Sequence, residues 1–128
     1  MLFARTTLIL SIVSGSIPGL LVFAGTTWAQ EAPRSYVASP DIYKVVAQND
    51  QYVVIVGTWA PGQRDILHSH PAGGGYYLTN CKLRNTLADG RARESEPKAG
   101  SGFTFPPVAH HVQNIGDSEC KMVIVEQK

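Results

Sequence analysis

All four histidines of this 128-residue chain fall into two pairs, His68 with His70 and His110 with His111. A neutral imidazole is a ligand for divalent transition metals, and three converging on one point hold an ion while leaving other coordination positions open. The stretch "HSH", residues 68–70, sets two rings at i and i+2. In an extended strand those two residues share a face, about 7 Å apart, while Leu67 and Ser69 point the other way. His110 and His111 are adjacent, so only one of them can face inward. Val112 lies on the same face as His110, and an apolar residue turned inward there selects His110 as the third ligand.

The residues around the pairs refine this chemistry. After His70 no carboxylate appears before Asp89; Gly73, Gly74 and Gly75 stand in that interval instead. They are expected to turn a hairpin sharply through positive φ, and their missing side chains also widen any mouth beside the histidines. Tyr76 and Tyr77 alternate faces. One is expected inside, where its hydroxyl can contact a ligand, although aromatic packing alone explains a strand tyrosine as well. The stretches around the histidines offer no obvious general base, which leaves a tyrosine to do any proton work. Trp59, Phe103 and Phe105 read as core or rim, and Asn114 as a residue that fixes a turn. Cys81 and Cys120, 39 residues apart, are candidates for a disulfide in an oxidising compartment; the alternative is two small, half-buried thiols.

Positioning these groups falls to strands. Beyond residue 35 no stretch sustains the three-and-four apolar spacing of a helix, whereas short β-branched and aromatic runs recur between turn signals. The runs are "IYKVVA", "YVVIVGTW", "DILHSH", "YYLTNCKLRNTL", "RARESE", "GFTF", "AHHVQN" and "CKMVIVE", with a tight turn at Asp89–Gly90. About eight or nine strands with no helix to cover a sheet leave a closed or two-sheet β architecture, a small barrel or jelly roll.

Residues 1–29 form a separate object. Arg5 is their only charge, an apolar run follows it, and Thr27 and Ala29 flank Trp28 before "QEAPR". This is the pattern of a secretory signal peptide cleaved after Ala29, with an earlier cut available through Val22 and Ala24; the alternative is an uncleaved membrane anchor. Cleavage leaves residues 30–128 as one domain, periplasmic or secreted, that touches a membrane only through the leader. The exported part has ten basic and ten acidic residues. A formal charge of zero without clustered Lys or Arg argues against a nucleic-acid partner and favours a small molecule or another protein.

Two stretches resemble a known family. "PGQRDILHSHP" is similar to the first cupin motif, in which a glycine precedes His-x-His by five residues, as Gly62 precedes His68. "GSGFTFPPVAHHVQNIGD" resembles the second: Gly100 plus five residues reaches Pro106, and Asn114 follows His110 by four. The resemblance spans about residues 42–127. It implies an all-β, single-domain cupin-type jelly-roll β-barrel, in many relatives a homodimer. Two departures stand out. The glutamate that the first motif supplies three or four residues after its second histidine is replaced by glycine, and the step from proline to histidine in the second motif is one residue short. Some cupins, notably thiol dioxygenases, work with three histidines and no carboxylate. The resemblance therefore implies a divalent transition metal (Fe, Zn, Ni, Cu or Mn) held by His68, His70 and His110. Three functions stay open: a dioxygenase-like metal-dependent enzyme acting on a small molecule, a non-enzymatic metal- or ligand-binding protein, and a metal-free dimeric module.

Overall fold

The computed structural model describes residues 31–128. The expected leader, residues 1–29, and both of its cleavage positions lie outside the described residues. Within them, one short helix α1 (Ser35–Ala38) precedes nine strands: β1 (Tyr43–Gln48), β2 (Tyr52–Trp59), β3 (His68–His70), β4 (Gly73–Tyr77), β5 (Leu83–Leu87), β6 (Ala92–Ser95), β7 (Gly102–Phe105), β8 (Val108–Asn114) and β9 (Cys120–Gln127). They pair antiparallel into two sheets, ordered β1-β2-β9-β4-β7 and β3-β8-β5-β6. The result is a jelly-roll barrel.

Alternation in the sequence explains the longest strands. In β2 every second residue is buried, and in β9 the buried set is Cys120, Met122, Ile124 and Glu126. Paired over their whole length, these two strands form one wall of the core, with Ile55, Val53 and Trp59 packed beside Met122 and Ile124. Leu83 of β5 and Val112 of β8 face them from the other sheet. An isolated imidazole pair has no fixed geometry in water. Here the antiparallel ladders on both sides of β8 set it.

The glycines differ from expectation. Gly73–Gly75 make no turn. They are strand β4, paired on one side with β7 and on the other with β9, and positive φ occurs instead at Gly62, Gly90 and Gly100. The reason is packing. A Cβ on Gly73 would stand 2.5 Å from the carbonyl oxygen of Val125 and 2.8 Å from the ring of Phe105, and one on Gly75 would meet the ring of Phe103. Two aromatic rings lie across the bare backbone of β4, and no larger residue leaves them room. The run "YYLTNCKLRNTL" is likewise divided: Tyr76 and Tyr77 end β4, and Leu83 starts β5 after a loop that holds Cys81. At the β5–β6 hairpin Gly90 alone takes the positive φ, at 88°.

Candidate metal centre

The centre is built on the pairing of β3 with β8. In that ladder His68 stands directly opposite His110, and His70 opposite Val108. Directly paired residues share a face of the sheet, so the rings of His68 and His110 leave it on the same side, and His70 joins them from two residues along. Ring centroids lie 4.6 Å apart for His68 and His70, 5.0 Å for His68 and His110, and 5.1 Å for His70 and His110. Each residue offers one ring nitrogen within 4.8 Å of the other two, close enough to hold a metal ion. His111, paired with Thr86, is not one of the three.

Second partners orient two of the rings. His68 Nδ1 is 2.7 Å from the carbonyl oxygen of Ile66, an acceptor only, so Nδ1 carries the proton and Nε2 presents a lone pair. His70 Nδ1 donates to Oε1 of Glu126 in a close contact, which leaves its Nε2 turned toward His68. The two Nε2 atoms stand 2.8 Å apart. Tyr43 completes this side: its hydroxyl donates to Oδ2 of Asp65 at 2.8 Å, and its oxygen lies 3.2 Å from His68 Nε2. Oδ1 of Asp65 accepts the backbone N–H of Val112 at 2.6 Å, which ties the approach to β3 onto β8.

Glu126 is fully buried and shared. Arg34 donates from Nη2 to its Oε2 at 2.8 Å. The segment carrying Arg34 lies along β3, where Ser69 N–H donates to Pro33 O at 2.8 Å and Ser69 Oγ to Ala32 O. This strap buries Ser69 and explains why all three residues of so short a strand are inaccessible.

Burial sets the electrostatics. It lowers the pKa of His68 to about 4, with the neighbouring His70 adding to the shift. His110 falls to about 3, through burial first and then the imidazoles of His68 and His70. Burial raises Asp65, against the hydrogen bonds from Val112 and Tyr43, and holds the Tyr43 phenol well above its usual value, with Asp65 adding to it. Near neutral pH, His68 and His110 are therefore uncharged with their lone pairs available, and Tyr43 is a protonated phenol.

A cavity of about 530 Å³ opens beside His70 and His110, within the range of small-molecule sites. Phe103, Phe105, Val108, Met122 and Ile124 are among its apolar lining residues. Tyr77 lines it, whereas Tyr76 is 49% exposed and does not. Cys81 and Cys120 form a disulfide, with Cα atoms 5.0 Å apart. Asn114 fixes the turn after β8: its Nδ2 donates to Ser118 O at 2.8 Å and its Oδ1 accepts Gly116 N–H at 3.0 Å.

The expectation that the stretches around the histidines offer no obvious general base is corrected by two buried carboxylates at the site, Asp65 and Glu126. Asp65 sits three residues before His68 and had a visible signal, an acid inside an otherwise histidine-bearing motif. Glu126 had a subtler one: it continues the buried set of Met122 and Ile124, and an acid on the apolar face of a strand needs a partner inside. Tyr43, the third residue missed, carried no signal beyond a place at the start of β1. The register also shows what became of the carboxylate lacking at residues 73–75. Gly73 is paired directly with Glu126. A carboxylate thus enters the site from the neighbouring strand and binds the far nitrogen of His70.

Among proteins of known structure the chain has clear neighbours. A cupin domain from Bordetella pertussis Tohama I is 25% identical, covering 77% of this chain and 97% of its own, with a TM-score of 0.63. An RmlC-like cupin family protein with a double-stranded β-helix fold from Methanocaldococcus jannaschii is 14% identical, over 67% of this chain and 78% of its own, at a TM-score of 0.54. A conserved protein with a double-stranded β-helix domain from Klebsiella pneumoniae subsp. pneumoniae MGH 78578 is 23% identical, over 67% and 75%, at 0.53. No family model and no curated protein matches the chain.

Proposed function

On the premise that this chain is a small cupin domain with the double-stranded β-helix fold, we propose that it is an exported protein that binds a small molecule at a divalent transition metal held by His68, His70 and His110. One observation carries the reading. Two Nε2 atoms, each with the opposite nitrogen of its ring engaged, turn their lone pairs toward each other at 2.8 Å. With both rings neutral, the form that coordinates a metal, two bare lone pairs repel at that distance, whereas imidazole nitrogens about 2.1 Å from one ion and near a right angle stand about 3 Å apart. The buried, uncharged state of His68 and His110 suits the same role. Neutral imidazoles accept Fe(II), Zn(II), Ni(II), Cu(II) or Mn(II). Such an ion would supply Lewis acidity to a molecule held in the cavity.

The protein's own groups have distinct tasks. Glu126 holds the His70 ring in its tautomer and makes Nε2 a stronger donor, and Arg34 holds Glu126. Phe103, Phe105 and Val108 exclude water around the ligand. The disulfide supports residence in an oxidising compartment, in keeping with a cleaved leader. A catalytic reading has one specific support: Tyr43 sits beside the ligand nitrogen of His68 with Asp65 behind it, an arrangement able to pass a proton between the site and a buried carboxyl.

The test is metal content and affinity of the purified protein beside His68→Ala and His110→Ala. One ion per chain in the wild type and at least a hundredfold weaker binding in both variants is expected. Equal binding in all three overturns the reading. Substrate-dependent oxygen uptake by the Fe(II)-loaded protein, abolished in His110→Ala, separates enzyme from binder.

A further inference from the structure

We propose that the cavity selects a small organic carboxylate with an apolar body, and that Arg93 grips its charged end. The register of the edge strand β6 carries the inference. Leu83 pairs with Ser95 and Asn85 with Arg93, while Arg84 pairs with Glu94. Leu83 is buried in the core, so residues in register with it and two along from it share the inner face. Arg93, Asn85 and Ser95 belong to that face and line the cavity. Arg84 and Glu94 belong to the outer face, where they pair at 2.6 Å.

The charges are uneven in a telling way. Two arginines, Arg91 and Arg93, line the cavity and no acidic side chain does. Arg91 is engaged with Asp89 at 2.7 Å. Among the described residues, Arg93 has no carboxylate within salt-bridge distance, although Arg84, one strand over, has one. A guanidinium without a partner at the mouth of an apolar chamber is a bidentate receptor for a planar carboxylate. The chamber itself, lined by Phe103, Phe105, Met122 and Ile124, takes an aromatic or branched aliphatic body, and a charge set against that apolar wall would lose water with no compensating partner. The opposite end of the ligand reaches His70 and His110; that part alone rests on the metal reading, and the arginine end does not.

Calorimetric titration of the zinc-loaded and the metal-stripped protein with 3-phenylpropionate and with its neutral amide tests the assignment. The acid is expected to bind at least tenfold more tightly than the amide, with and without zinc. Arg93→Gln should bring the acid down to the level of the amide and leave the amide unchanged, while Arg84→Gln on the outer face keeps the full preference. Equal binding of acid and amide, a preference that survives Arg93→Gln, a preference that vanishes with the zinc, or no binding across phenylacetate, 3-phenylpropionate and 4-phenylbutyrate overturns the proposal. Loss of metal binding with the acid preference intact would count against the metal reading only.

Discussion

At the scale of single residues, the site is three imidazoles, two of them aimed by their outer nitrogens. Glu126 has the strongest such role, since a carboxylate behind a ligand histidine fixes the ring and raises its donor strength. Glu126→Gln keeps the shape but removes the charge, and a 10- to 100-fold loss of zinc affinity is expected by competition with a chromophoric chelator. Depressed histidine pKa values make a second prediction. His68 and His110 stay neutral in the fold down to about 4 and about 3, but in the unfolded chain they take up protons below about 6.5. Between those limits the unfolded state binds more protons, so stability rises with pH. For the metal-free protein it is complete above about 6.5 and is lost as pH falls toward 4, at about 1.4 kcal/mol per pH unit for each proton taken up. Urea unfolding at pH 7.5, 6 and 5 reads this directly; a midpoint that does not move contradicts the burial of neutral imidazoles. The three histidines are legible in the sequence because their spacing is local. The partner of Glu126 is not, because its contact with His70 spans 56 residues and exists only once β9 lies beside β4.

At the scale of elements, the alternation of apolar and polar residues locates β2 and β9 well, because half-buried strands write their two faces into the chain. It fails at β4. Glycine has no side chain to alternate, and three in a row read as a turn. What makes them a strand is the pair of rings from β7, a contact that no local pattern encodes. The close approach makes a prediction. Gly73→Ala, whose Cβ would stand 2.5 Å from a backbone carbonyl, should cost about 1–3 kcal/mol in chemical denaturation. Gly74→Ala, with its nearest heavy atom at 3.1 Å, should cost less. Equal and negligible costs would show that β4 has room to spare.

At the scale of the whole molecule, the jelly roll is legible from two motifs in the right order. How its sheets are tied together is not. Cys120 belongs to β9 of one sheet, and Cys81 lies two residues before the first residue of β5 in the other. The sequence contains both thiols, but only the folded path brings them together. By loop entropy, a crosslink over 39 residues stabilises by about 4 kcal/mol. Cys81→Ser with Cys120→Ser should lower the unfolding free energy by about 2–5 kcal/mol, and reduction of the wild type should match it; no change under either treatment would show that the sheets hold without the bridge.

The proposed function depends on three rings meeting at one ion. The most direct test is X-ray absorption at the zinc edge of the loaded protein. Three imidazole nitrogens at about 2.0–2.1 Å, recognised by scattering from their rings, with one or two further oxygen scatterers are expected, falling to two imidazoles in His110→Ala. A wild-type spectrum with one imidazole or none, or one that His110→Ala leaves unchanged, would contradict the account.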